Sequence, residues 1–154
     1  MSHAPRLDYY TAAPKPAGGL LHFSKSVGAS LGLRLKEMVQ LRISQINGCA
    51  FCIDMHWAAL VKDGMEPRHI NALPGWREAR RFFSEHECAA LNWAEAVNAV
   101  PHRVPSDADF EEAKRHFNEA ELADITFVVC AIRAWNMLNA SFHMPVPEVP
   151  YSAG

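Results

Sequence analysis

Residues 33–63 read LRLKEMVQLRISQINGCAFCIDMHWAALVKD, and the fold class turns on this stretch. Leu33, Leu35, Met38, Val39, Leu41, Ile43 and Ile46 recur at helical spacing among Arg34, Lys36, Glu37, Arg42 and Gln45, which predicts a helix over 33–46. Asn47-Gly48 supplies the stop, because glycine takes the left-handed conformation that closes a helix at no steric cost. A second helix is predicted over about 49–63, ending at Gly64 after Lys62, whose charge suits a helix C-terminus. Two helices about so short a turn make an antiparallel hairpin.

Proline sets the plan on either side. Pro5, Pro14 and Pro16 precede residue 17, and Pro145, Pro147 and Pro150 follow residue 144. The other four mark two joints, Pro67/Pro74 and Pro101/Pro105. Residues 17–66 and 106–144 are proline-free and open to helix formation. Ser84-Glu85-His86-Glu87 is a capping box opening a helix over about 85–99. Ser106 caps another, with Asp107 and Asp109 in its first turn. The last helix, about 119–142, is the most apolar and is expected to run through the core. The fold class is therefore all-α: a single domain over 1–154 with its core at about 17–144 and extended, proline-containing arms at both ends.

Composition narrows the function. The chain has 154 residues, with 15 Lys+Arg against 17 Asp+Glu and a net charge of −2. That balance excludes a strongly basic nucleic-acid binder and a broad cationic membrane surface. An apolar fraction of 49% is enough to build a core. The start lacks a signal-type apolar run, and the closest approach to a membrane span, 125–135, is short and contains Arg133. A soluble cytoplasmic protein is expected. Arg77, Arg80 and Arg81, interrupted by Glu78, read as a solvated helix face rather than a phosphate site.

Four cysteines are too few to hold a fold together by disulfides. Cys88 and Cys130 stand alone and read as core thiols, whereas Cys49 and Cys52 are three residues apart at a predicted helix start. That spacing puts both sulfurs on one face, within disulfide reach, where unsatisfied amides favour thiolates. His56 is one turn beyond Cys52 on the same face, and helical side chains lean back toward the N-terminus, so its imidazole is expected to tip over Cys52. At about 1.5 Å rise per residue, an antiparallel hairpin brings Glu37 and His56 within roughly 3 Å of the same level. Carboxylate, imidazole and thiol in reach of one another make a proton relay. Nearness to the helix end favours Cys49 as the attacking thiol; the His56 spacing favours Cys52. Zinc is the rival for Cys49, Cys52 and His56, but a fourth ligand has to come from far away. Haem attachment needs a histidine directly after the second cysteine, where Ile53 stands. Among the tryptophans, Trp57 is best placed to line a substrate pocket because it follows His56.

The segment from Glu37 through Leu41-Arg42-Ile43-Ser44-Gln45-Ile46-Asn47-Gly48-Cys49-Ala50-Phe51-Cys52 to His56 resembles the core of the alkylhydroperoxidase AhpD family, within the all-helical carboxymuconolactone decarboxylase-like superfamily. The spacing Glu-x11-Cys-x2-Cys-x3-His fits throughout, a far more specific match than a lone CxxC. The resemblance implies a helical bundle with the CxxC motif at the N-terminus of a central helix. It implies a hydroperoxide reductase with Cys52 as the peroxidatic thiol and Cys49 as the resolving one. Glu37 and His56 then take the relay positions. The expected partners are a small hydroperoxide substrate, an external dithiol or protein reductant, and further copies of the chain in a trimer or hexamer. No cofactor, metal, nucleic acid or membrane is expected. A redox-sensing or general thiol–disulfide oxidoreductase oligomer is the alternative. The founding peroxidase carries a histidine between its cysteines, where this chain has Phe51, and contains two copies of the helical unit, where this chain has about one.

Overall fold

Capping side chains and a left-handed glycine set the main helix boundaries in the computed structural model, which describes residues 4–149. In chain order the helices are α1 (Tyr9–Ala12), α2 (Pro14–Ser26), α3 (Leu33–Asn47), α4 (Ala50–Lys62), α5 (Pro67–Ala72), α6 (Glu85–Asn98), α7 (Asp107–Lys114) and α8 (Glu119–Phe142). Short 3₁₀ turns lie at Leu73–Gly75 and Arg80–Phe82. No strand occurs among the described residues, so the chain is all-α. Ser84, Ser106 and Asn118 each close a reciprocal capping box, which fixes the starts of α6, α7 and α8.

α3 is the centre. Its Leu35, Val39 and Ile43 join Val27, Ala90, Trp93, Ile125, Val128 and Ile132 in one core cluster, which also takes in both sulfurs of Cys49 and Cys52. Met38 and Leu41, on its other side, join Leu60, Met65, Ile70, Leu73, Trp76 and Leu91 in a second. A helix buried on two sides needs apolar residues around most of its circumference, which explains the broad pattern in its sequence. α8 is the one described helix long and apolar enough, by length and composition alone, to cross a membrane. In this fold Leu122, Ile125, Val128, Val129 and Ile132 of α8 are buried.

Three expectations are corrected here. Residues 8–16 are helical rather than an extended arm: Asp8 caps α1, and Pro14 occupies the first turn of α2, where its missing N–H costs nothing. The backbone N–H of Arg6 donates to Phe142 O at 2.8 Å, so this segment is fastened to the end of α8. Residues 144–149 are non-helical, as read, while His3 and residues 150–154 of the C-terminal arm lie outside the described residues. Cys130 is exposed, not buried, because α8 turns Phe127, Cys130 and Met137 outward on one stripe. The arginine cluster is not on a helix face. Arg80 and Arg81 belong to a 3₁₀ turn, Arg81 lies 5.0 Å from the centre of the Phe82 ring, and Arg77 stacks on Trp76 at 4.3 Å.

Glu95 on α6 ties three elements together. It accepts from Arg42 Nε of α3 at 2.6 Å, from Trp76 Nε1 at 2.9 Å, and from Arg77 Nη1. Burial alone raises its pKa, but these bonds from Arg42, Trp76 and Arg77 outweigh burial and hold it below the ordinary 4.5. A lowered folded pKa adds stability above about pH 4.5, and that stability is lost as pH falls through the lowered value. Glu95→Gln is expected to cost about 2–4 kcal/mol at pH 7 by leaving Arg42 partly buried without its counter-charge. Urea unfolding of wild type and variant at pH 7 and pH 3 checks this: the gap between them should narrow at the lower pH.

Candidate functional site

The site is built on the turn between α3 and α4. Gly48 takes φ +72° as the left-handed cap of α3, a conformation that strains any residue with a Cβ. Cys49 follows as the N-cap of α4, its Sγ accepting from the Cys52 N–H at 3.3 Å. Cys49 and Cys52 are joined as a disulfide, and both are almost wholly buried. One turn along α4, His56 Nδ1 donates to Glu37 Oε2 of α3 at 2.6 Å. The pairing foreseen from helical rise is present, and His56 is 4% exposed.

His56 Nε2 is buried and has no hydrogen-bond partner. It is one of four such side-chain atoms among the described residues, with Gln40 Oε1, Gln45 Oε1 and Asp54 Oδ2. Burying an unpaired ring nitrogen is costly, and here it sits one turn from the disulfide. The structure thus brings the four expected residues together as two pairs, a disulfide and a hydrogen-bonded imidazole and carboxylate. No side-chain hydrogen bond joins the His56 imidazole to Cys52 Sγ.

Polar side chains from distant elements complete the surroundings, and the local sequence around the cysteines carries no sign of them. Asn47 Nδ2 donates to Asn98 Oδ1 and Asn136 Oδ1, at 3.1 and 3.0 Å, and Asn98 Nδ2 returns a bond to Asn47 Oδ1. Asn136 Nδ2 donates to the fully buried Ser44 Oγ at 3.1 Å. These bonds pin the α3–α4 turn to α6 and α8. One turn further along α8, Asn139 Nδ2 donates to Cys52 Sγ at 3.4 Å, while Asn139 Oδ1 accepts from Tyr9 OH at 2.8 Å. The one available signal was the pair Asn136 and Asn139, three residues apart in an otherwise apolar helix. Such residues are buried only with partners.

A cavity of about 230 Å³ opens onto Cys49, lined also by Gly48, Phe51, Asn139, His143 and Met144. Cys52 does not line it. Trp57, expected at a pocket, is instead an exposed residue of α4. A larger cavity, about 450 Å³, lies elsewhere against Arg77, Arg80, Cys88 and His116. Burial pushes the Cys88 thiol up, more than Arg80 brings it down, so Cys88 stays protonated and poorly nucleophilic. Among the described residues, no three His, Cys, Asp or Glu side chains are grouped to hold a metal ion.

A helical bundle with a CxxC pair at the start of a helix defines a class. The chain belongs to the carboxymuconolactone decarboxylase family, whose model matches residues 17–96. It is 31% identical over 135 residues to the uncharacterized protein YdfG of Bacillus subtilis (strain 168), covering 87% of this chain and 91% of that one. Its fold is AhpD-like. ATU0492 of Agrobacterium tumefaciens, a protein of unknown function described as a candidate antioxidant defence protein AhpD, superposes with a TM-score of 0.90 at 33% identity, covering 95% of this chain and all of that one. The debrominase Bmp8, solved with 2,3,4-tribromopyrrole, shares the fold alone: TM-score 0.75 at 20% identity, over 91% of this chain and 76% of that one.

Asn136→Ala removes the shared partner of Asn47 and Ser44. It is expected to cost about 2–4 kcal/mol by leaving buried groups unpaired. Chemical denaturation measures this, and a loss under about 0.5 kcal/mol contradicts the pinning role.

Proposed function

We propose that the protein is a cysteine-based antioxidant peroxidase that reduces hydroperoxides through a Cys49/Cys52 dithiol–disulfide cycle. The observation that carries this reading is the hydrogen bond between His56 Nδ1 and the Glu37 carboxylate, buried one helical turn from the disulfide, with Nε2 of the imidazole unpartnered. In the reduced protein Cys52 gives its proton to His56 Nε2, while the Glu37 carboxylate on Nδ1 stabilises the imidazolium that forms. The Cys52 thiolate attacks the outer oxygen of ROOH; the O–O bond breaks, and the leaving alkoxide takes the proton from His56. Cys52 becomes a sulfenic acid. Cys49 attacks that sulfur, water leaves, and the disulfide forms. An external dithiol or protein reductant then resets the pair.

A second reading, a general thiol–disulfide oxidoreductase or redox sensor with little peroxide turnover, has its own support. Cys49 lines a cavity, whereas Cys52 does not. A reducing cytoplasm suits both readings, since the pair has to be opened repeatedly. The outward stripe of Phe127, Cys130 and Met137 on α8 supports assembly with further copies, as a trimer or hexamer.

Hydroperoxide loss under excess dithiol separates the two readings. Wild type should turn over, and Cys52→Ser should fall to the uncatalysed rate. Glu37→Gln should lose about 100-fold or more, because the imidazole loses its charged partner. If wild type is no faster than Cys52→Ser, the peroxidase reading fails and the thiol-exchange reading stands.

A further inference from the structure

Two observations at the disulfide have no part in the relay. Asn139 donates to the sulfur of Cys52, and the cavity beside it is lined by Cys49 and not by Cys52. The amide is not free to turn. Asn139 Oδ1 is held by the Tyr9 hydroxyl at 2.8 Å, and both residues are only 5% exposed. Burial, the largest cause, together with the neighbouring Tyr10 and Asp8, pushes the Tyr9 phenol far up, so it keeps its proton throughout the working range. The Tyr9 ring also lies 6.2 Å from Trp135 and 6.1 Å from Phe142, centre to centre, and α1 is fastened to α8 by the Arg6–Phe142 backbone bond. Tyr9 thus fixes which end of the amide faces the sulfur, and that end is the donor.

Thiol–disulfide exchange has a direction: one sulfur is attacked and the other leaves with the electron pair. A leaving thiolate buried as Cys52 is needs a donor, because desolvation penalises the charge. Among the described residues, Cys49 Sγ accepts from the Cys52 backbone N–H and from no side chain. Resting on the dithiol–disulfide cycle above, we propose that Asn139, oriented by Tyr9, holds Cys52 as the departing thiolate while a small external dithiol enters the 230 Å³ cavity and attacks Cys49. Asn139 contacts a reacting atom and is catalytic; Tyr9 acts through it and is a positioning residue.

The step balances as follows. The thiolate of the reductant bonds to Cys49 Sγ, the Cys49–Cys52 bond breaks, and its electron pair leaves on Cys52. The second thiol of the reductant loses its proton to solvent and attacks its own partner sulfur in the mixed disulfide. Cys49 departs as a thiolate, and the reductant leaves as a cyclic disulfide, two electrons poorer. Phe51 and Met144 offer apolar wall to the carbon chain, and His143 is the titratable side chain at the mouth.

Two measurements test this, and neither consumes a hydroperoxide. Oxidised wild-type protein is treated with 2-mercaptoethanol, quenched in acid with N-ethylmaleimide, and digested for tandem mass spectrometry. The mercaptoethanol adduct is expected on Cys49 and the maleimide on Cys52. The reverse placement, or an even split, overturns the proposal. Thiolate absorbance is then titrated in the Cys49→Ser background, where the titratable groups around Cys52 include His56 with its partner Glu37, Tyr9 behind Asn139, and His143 at the cavity. Asn139→Asp, isosteric but unable to donate when ionised, should raise the Cys52 titration by about 1 unit or more. Tyr9→Phe, which keeps the ring packing, should raise it by less. An unchanged titration in Asn139→Asp, with helical circular dichroism retained, overturns the role of Asn139. A Cys49 adduct in a protein without peroxide turnover supports this proposal and sinks the peroxidase reading alone.

Discussion

Gly48 reverses the chain at φ +72°, and the hydrogen bonds of Asn47, Asn98, Asn136 and Ser44 hold the resulting turn against α6 and α8. Everything at the site depends on that constraint. The turn makes Cys49 the first residue to cap α4, so the two sulfurs fall on the helix end rather than along its flank. It also sets the register of the hairpin, and register alone decides whether Glu37 meets His56 or misses it by a turn. α3 supplies both cores as well as Glu37, so the geometry of the relay is tied to the stability of the whole bundle.

Burial gives the site its character. Both cysteines are almost wholly buried, and in that setting each proton and each charge requires a partner. The hydrogen bond between His56 and Glu37 is one such arrangement, and the amide of Asn139 is another. His56 belongs to α4 itself and Asn139 to α8. In the proposed cycle, His56 serves Cys52 as nucleophile and Asn139 serves it as leaving group. Phe51, where the founding peroxidase has histidine, lines the cavity.

Much of this was legible in the sequence because it rests on local rules. The glycine stop, the serine capping boxes and the full length of the last helix follow from residue chemistry within a turn or two. The Glu37–His56 contact follows from helical rise once the two helices are taken as a tight antiparallel hairpin. What escaped had no local mark. Tyr9 and Asn139 are 130 residues apart, and prolines at 14 and 16 read as the end of an arm although proline is well suited to a helix start. Cys130 lies in the apolar run ITFVVCAIRAW, where burial is the natural reading; only the helical phase set by α3 and α6 turns it outward. Trp57 points outward for the same kind of reason: the face of α4 that carries Cys52 and His56 is the one the core takes.

The central claim is that a hydroperoxide oxidises this pair and no other thiol. Fully reduced protein is treated with one equivalent of an alkyl hydroperoxide, alkylated, and analysed by mass spectrometry. The account predicts a mass loss of about 2 Da confined to the peptide carrying Cys49 and Cys52, with Cys88 and Cys130 recovered as alkylated thiols. Oxidation that settles on Cys88 or Cys130, or a pair that stays reduced, contradicts it.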